Sequence, residues 1–272
     1  MKLDLATVGG FGVGLVLILG AILLGGQPII FISISSLMIV AGGTLAGATI
    51  SFSLDHIKDL VQVIKIVFYE QSMNPQEVIS TLVSFAEKAR REGLLALEDE
   101  ANDLDDPFLK KGIQLVVDGT DSDLVRSILE TELAFLEERH GTSRRIFETM
   151  AELSPAFGMM GTLIGLIQML SKLDSPDNIG GGLATALITT FYGTFMANLI
   201  FLPITKKLEM RSEEEILVKE VMIEGILSIQ AGENPRIVEE KLKAFLSGSI
   251  RESLEEEGSM EGEMAVENNA AS

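Results

Sequence analysis

The 272-residue chain contains no cysteine and no tryptophan, and only two histidines and two tyrosines. Without cysteine there is no disulfide, no thiolate-held zinc or iron–sulfur cluster and no thiol nucleophile. His56 and His140 lie far apart in the sequence. They are expected at interfaces or in packing rather than in a metal site. Charge is also missing, but only locally. Leu5 to Leu54 is a run of 50 residues without Asp, Glu, Lys, Arg or His; Leu153 to Ser171 is a second of 19, and Asn178 to Thr205 a third of 28. Runs of about 20 apolar residues suffice to cross a bilayer. A mean hydropathy of +0.33 beside 22% charged residues is therefore segregation of charge, and an ordinary soluble domain is excluded. A net charge of -19 also argues against a nucleic-acid partner, because polyanions would be repelled.

The first run is long enough for two spans. Gly25-Gly26-Gln27-Pro28 punctuates it as a turn. Span 1 is expected at about 5–24 and span 2 at about 30–51. Span 1 carries glycines at 9, 10, 12, 14 and 20, which are expected to permit close approach of a neighbouring helix. It does not read as a signal peptide, since its apolar run is too long and no Ala-x-Ala cleavage site follows. Span 3 is expected at about 153–173 and span 4 at about 179–204, with a short loop at 171–182. Of the 21 Lys and Arg, 11 lie in 53–152 and 8 in 205–272. The positive-inside rule then places both blocks, and both termini, on the cytoplasmic side.

What remains is helical in pattern, giving an all-α, four-span membrane protein with a large helical cytoplasmic domain between spans 2 and 3. The expected divisions are 1–52 (spans 1 and 2), 53–152 (cytoplasmic helical domain), 153–204 (spans 3 and 4), 205–246 (cytoplasmic helical extension) and 247–272 (disordered acidic tail). Asn74-Pro75-Gln76-Glu77 is a helix start, and Val78, Ile79, Leu82, Val83, Ala86 and Ala89 recur at helical spacing up to Gly93. Asp106-Pro107 starts a second helix that ends near Gly119, and Asp121 caps a third. The third carries Leu124, Val125, Ile128, Leu129, Leu133 and Leu136 on one stripe and is expected to run on into span 3. Span 4 is expected to continue to about 231, with a last helix from Asn234-Pro235. No β pattern is visible. The tail holds seven acids against Arg251, without apolar periodicity.

No carboxylate, lysine or histidine lies in any span, so the chain alone has no proton relay in the bilayer. It has hydroxyls: Thr162 in span 3 and Thr185, Thr189, Thr190 and Thr194 in span 4. If Pro155 and Pro203 both mark the cytoplasmic ends, a rise of 1.5 Å per residue puts Thr162 about 10 Å deep, Thr190 about 20 Å and Thr194 about 13 Å. Hydroxyl and freed carbonyl oxygens suit a hard cation such as Na⁺. The plain alternative is that each threonine bonds its own helix or glues two helices together. A transported cation would need a negative partner, which must then come from another chain.

Several strings resemble the A subunit of the bacterial flagellar stator, the MotA/PomA family, over about residues 1–248. They are Ala89-Arg90-Arg91-Glu92-Gly93-Leu94-Leu95-Ala96-Leu97-Glu98, Phe108-Leu109-Lys110-Lys111-Gly112, Val117-Asp118-Gly119, Glu138-Arg139-His140, the run Pro155 to Leu166, Val221-Met222-Ile223-Glu224-Gly225 and Asn234-Pro235. The resemblance implies a homopentamer around a dimer of B subunits in the bacterial inner membrane, with the B subunit supplying a transmembrane Asp. It implies rotor contact with FliG through Arg90, Arg91 and Glu98, and coupling of ion flow to rotation through Pro155 and Pro203. Gly161-Thr162-Leu163-Ile164-Gly165 and Thr189-Thr190-Phe191-Tyr192-Gly193 resemble the sodium-type, PomA/MotP-like members. Thr162 and Thr190 are thus expected to hold Na⁺ in transit, with Thr189 beside them in the ion pathway. The alternatives are a proton-driven machine and an ExbB/TolQ-like energiser, which typically has three spans. No resident cofactor and no enzyme activity are expected, since no catalytic constellation is present.

Overall fold

A computed structural model describes residues 2–70, 74–171 and 179–246. The expected acidic tail and most of the loop between spans 3 and 4 lie outside them. The described chain is almost wholly helical, and four helices are long and apolar enough to cross a membrane. The contacts divide the chain into one unit of 1–71 with 138–212 and another of 72–137 with 213–272. The units do not follow the polarity boundaries, because helices continue unbroken past the ends of the apolar runs.

In the first unit, α1 (Leu5–Leu24) is apolar all round and buries no residue within the chain. Within the chain only one of its five glycines meets a neighbour: a Cβ at Gly14 would meet the Leu199 side chain at 2.9 Å, and those at Gly9, Gly10, Gly12 and Gly20 would meet nothing. Span 2 is broken rather than continuous. It comprises a turn at Pro28–Phe31, α2 (Ile34–Leu37), a wide π turn at Met38–Gly42 and α3 (Gly43–Ser51). The amphipathic α4 (Leu54–Phe68) follows. Against the expectation of no β structure, Lys2–Leu3 pairs antiparallel with Tyr69–Glu70, a two-residue ladder that ties the start of α1 to the end of α4.

Asp4 joins that ladder to the fourth span. Its Oδ1 accepts from the Thr7 N–H at 3.1 Å, capping α1, while Oδ2 accepts from Lys207 and from Arg211 at 3.0 Å. The Lys207 hydrogen bond, helped by that of Thr7, holds the Asp4 carboxyl well below the usual carboxylate range. A lowered folded-state pKa adds stability that is complete above the ordinary aspartate value and is lost as pH falls through the folded one.

In the second unit, α5 (Pro75–Glu92) starts where Asn74 Oδ1 accepts from the Gln76 N–H, and it stops at Gly93, whose φ of 89° only glycine adopts readily. A turn at Leu94–Leu97 and α6 (Glu98–Asn102) lead to α7 (Pro107–Val117). The 49-residue α8 (Ser122–Leu170) contributes to both units, as does α10 (Leu202–Gln230), and α11 (Pro235–Lys243) closes the chain described. Leu82, Leu97, Ile113, Leu129, Met222, Ile226 and Leu242 form a fully buried core. Of the expected stripe on α8, Val125, Leu129 and Leu133 are buried but Leu124 is 54% exposed. Gly112 faces Ile226, where a Cβ would sit 2.3 Å from the side chain.

One polar knot crosses this core. Lys219 is 5% exposed; its Nζ donates to Asp106 Oδ2 at 2.7 Å and lies 5.0 Å from the centre of the Phe108 ring. Asp106 Oδ1 meanwhile accepts from the Phe108 and Leu109 N–H groups, both at 2.9 Å, capping α7.

Two outcomes are expected. Lys219→Met strands a buried carboxylate and lowers stability by about 3 kcal/mol, whereas Lys111→Met, which breaks the exposed Lys111–Glu132 pair, changes it by less than about 1 kcal/mol; thermal unfolding of the purified protein compares them. Asp4→Asn is less stable than the parent at pH 7, and the gap between the two melting temperatures narrows as pH falls below the ordinary aspartate value, because the unfolded parent then takes up a proton that the folded one still refuses.

Candidate functional site

The site is built on the absence of side chains between α8 and α9 (Ile179–Phe195). A Cβ at Gly165 would lie 2.6 Å from the Ala186 nitrogen and the Gly182 oxygen, and one at Gly193 2.6 Å from the Ser154 oxygen. At Gly161 it would meet the Thr189 side chain at 2.5 Å. Glycines thus bring the two backbones together in the manner of small-residue membrane helix pairs. Span 2 is drawn in by the same means: Gly43 lies under Phe157 and Gly47 under Leu153. Thr44 Oγ1 donates to Ser154 Oγ at 3.4 Å, and Ser154 Oγ donates to the Met150 oxygen at 2.6 Å, all in the interior.

This close approach joins two hydroxyls. Thr162 Oγ1 and Thr190 Oγ1 are 2.6 Å apart. Thr162 Oγ1 also lies 3.1 Å from the Gly158 oxygen and 3.2 Å from the Ala186 oxygen, and Thr190 Oγ1 lies 3.2 Å from that same Ala186 oxygen. Two hydroxyls and two carbonyls therefore converge. Each hydroxyl has one proton and two lone pairs, so the cluster retains acceptor capacity. Thr162 is half-buried and Thr190 exposed. Thr189 is separated from the pair: it is fully buried, its hydroxyl bonded to the Thr185 and Ala186 oxygens and its side chain against Gly161. Thr194 and Thr185 bond their own helix at the preceding turn.

Against expectation, Pro155 and Pro203 do not stand at one level. Gly193, not Pro203, stands opposite Pro155, where its Cβ would be 3.1 Å from the Pro155 Cα. The two prolines therefore mark different heights, and Thr162 meets Thr190 at one level. Pro155 lies inside α8 and is exposed; Pro203 is exposed near the start of α10. A proline ring displaces the carbonyl four residues back. For Pro203 that carbonyl belongs to Leu199, inside a wide π turn at Met196–Phe201, which absorbs the conflict.

Sequence reasoning missed Tyr192, which fastens the start of span 2. Its hydroxyl donates to the Phe31 oxygen at 2.5 Å and accepts from the Ser33 N–H at 3.2 Å. A tyrosine one residue before Gly193, within the uncharged run 178–205, was the available signal.

Arg90 and Arg91 occupy the last turn of α5 and Glu98 the first residue of α6. All three are exposed and form no ion pair among the described residues. Buried Leu97 anchors the connecting turn, and a Lys88–Glu100 pair at 2.7 Å holds its two sides together. His140 Nδ1 is 3.1 Å from Ser212 Oγ, as expected of a packing residue, and His56 is exposed. No group of three or more His, Asp or Glu residues among the described residues is arranged to hold a metal ion.

The fold and site define an integral membrane protein with four helical spans and a hydroxyl-lined helix pair. Residues 100–221 match the MotA/TolQ/ExbB proton channel family. The chain is 40% identical over 256 residues to motility protein A of Treponema pallidum, covering 94% of this chain and 98% of that one. It is 37% identical over 249 residues to chemotaxis protein PomA of Vibrio alginolyticus, covering 92% and 98%. The flagellar MotAB stator complex from Bacillus subtilis contains a chain superposing with a TM-score of 0.84 at 32% identity, over 92% of this chain and 98% of that one. This chain belongs to the MotA/PomA family. Its relatives are motility channel subunits and not enzymes.

A disulfide tests the geometry directly, because the chain has no native cysteine. Oxidation is expected to cross-link the Thr162→Cys/Thr190→Cys double variant within one chain but not the Thr162→Cys/Thr194→Cys variant, as read by mass spectrometry of peptide fragments.

Proposed function

We propose that this chain is the ion-conducting, torque-generating A subunit of a flagellar stator, driven by Na⁺. The observation that carries the reading is the Thr162–Thr190 hydroxyl pair, open to one side and backed by the Ala186 oxygen, in spans that hold no carboxylate. Oxygen donors strip water from a hard cation, and neutralisation of its charge requires an acid from elsewhere. A B-subunit dimer supplies that Asp, and five A subunits surround it in the bacterial inner membrane. The MotAB complex among the similar structures supports a B partner, and the paired threonine hydroxyls support Na⁺.

In this mechanism a cation enters from outside and pairs with the B-subunit Asp while Thr162 and Thr190 replace part of its hydration. Thr189 positions the pair by filling the space at Gly161. Neutralisation shifts the population of A–B arrangements, and release inward advances the A ring. Pro203, beside the wide turn at Met196–Phe201, gives span 4 a non-uniform turn at which such a shift is absorbed, and Pro155 transmits it from its place opposite Gly193. One cation falling through 100 mV supplies about 2.3 kcal/mol. Arg90, Arg91 and Glu98 pass rotation to FliG, their charges unspent within the described chain. The basic blocks support cytoplasmic termini.

The proton-driven reading is favoured by one finding, the description of the matched family as proton channels. Swimming separates the two. With this protein and its B partner as the sole stator, speed is expected to rise with external Na⁺ at fixed pH and to survive a protonophore. Thr162→Ala and Thr190→Ala are each expected to cut speed at least tenfold at low Na⁺, in keeping with about 1.4 kcal/mol for a lost charge-assisted contact. Speed indifferent to Na⁺ and abolished by the protonophore assigns the machine to protons.

A further inference from the structure

A cavity of about 600 Å³ lies in the first unit, away from the threonine pair. Gly10 of α1, Phe68 of α4, and Ile200 and Ile204 of the fourth span are among its apolar walls, and Lys206 and Lys207 belong to the same lining. Its size is ordinary for a ligand site. Gly10 is the natural floor: a Cβ there would meet nothing within 4 Å, so the space is open.

Basic side chains gather at Lys206 and Lys207. Lys207 and Arg211 share Asp4, and Lys206 and Arg144 share Glu209. Glu148 also acts on Lys206. Lys206 is 76% exposed at its side chain against 17% for Lys207, so its ammonium is the one in this lining with room for a further anion. Apolar walls beside a basic cluster at the end of the spans match one class of molecule, a long hydrocarbon tail on an anionic head. Basic pockets between membrane helices hold such headgroups, and hydrocarbon rather than water is the solvent for apolar walls at this depth.

We propose that this cavity is a binding site for one anionic phospholipid, with an acyl chain seated between α1, α4 and the fourth span and its phosphate against Lys206. The occupant lies against Ile200, within the wide turn, and against Pro203, so it braces the one part of span 4 where helical hydrogen bonding is irregular. The proposal rests on the membrane fold and is independent of which ion the protein carries.

The test uses full-length protein reconstituted into nanodiscs of phosphatidylcholine alone or of phosphatidylcholine mixed with phosphatidylglycerol. Native mass spectrometry after exchange into detergent counts retained lipid. Wild type is expected to keep one phosphatidylglycerol per chain and to release phosphatidylcholine. Gly10→Leu, which fills the cavity, is expected to release both. Lys206→Gln leaves the walls intact and is expected to hold phosphatidylglycerol about fivefold more weakly, the factor for one surface cation; it decides the matter even if Gly10→Leu does not fold. Inorganic phosphate is expected not to displace the lipid. Equal retention of phosphatidylcholine, undiminished retention by Lys206→Gln or by folded Gly10→Leu, displacement by phosphate, or a second copy of this chain cross-linked at Gly10→Cys would each overturn the proposal. Motility plays no part in the readout, so failure here and failure of the stator reading are distinguishable.

Discussion

The backbone contact between α8 and α9 is the constraint from which the rest of the candidate site follows. At Gly165 and Gly193 the space for a Cβ is already taken by backbone of the facing helix, 2.6 Å away. Only at that separation does Thr162 reach across to both the Ala186 oxygen and Thr190. A hydroxyl in a membrane helix ordinarily satisfies itself on its own preceding turn, and Thr185 and Thr194 do so. The same habit persists at Thr162, but the close neighbour adds a second set of oxygens. The geometry of the candidate site is a consequence of missing side chains.

Charge is handled by a different rule in each unit. In the first, Asp4 gathers a helix cap, Lys207 and Arg211 at the edge of the apolar region. A carboxylate so near the bilayer is tolerable only with its partners in place. In the second, the Lys219–Asp106 pair lies against the Phe108 ring with little exposure, where solvent screening is weak and both carboxylate oxygens of Asp106 are bonded. By contrast, Arg90, Arg91 and Glu98 are exposed and unmatched among the described residues. Charges that a chain does not use on itself remain available to a partner.

Much of the architecture was legible in the amino-acid order. Hydrophobic runs and their lack of charge marked four spans, because the bilayer tolerates few alternatives. Asn74-Pro75, Asp106-Pro107 and Asn234-Pro235 marked helix starts, since a side-chain oxygen before a proline satisfies the orphan donors of the first turn. Glycines at 93, 119 and 232 with positive φ marked the ends. These signals are local, and local physics decides them. The depth of the threonines was misjudged for the opposite reason: helical rise measures distance along one helix and says nothing about the level at which another crosses it.

The order of residues by itself therefore determined the fold class, the four spans, the segregation of charge and the presence of mid-span hydroxyls. Those depend on composition within a window of a few turns. Only the tertiary structure decided which glycines face backbone and which face nothing, that Pro155 stands opposite Gly193, and that Thr189 is buried while Thr162 and Thr190 share a contact. It also decided that Asp4 meets Lys207. Each of these depends on the register between segments distant in sequence, set by packing in three dimensions, and no one-dimensional period carries that register.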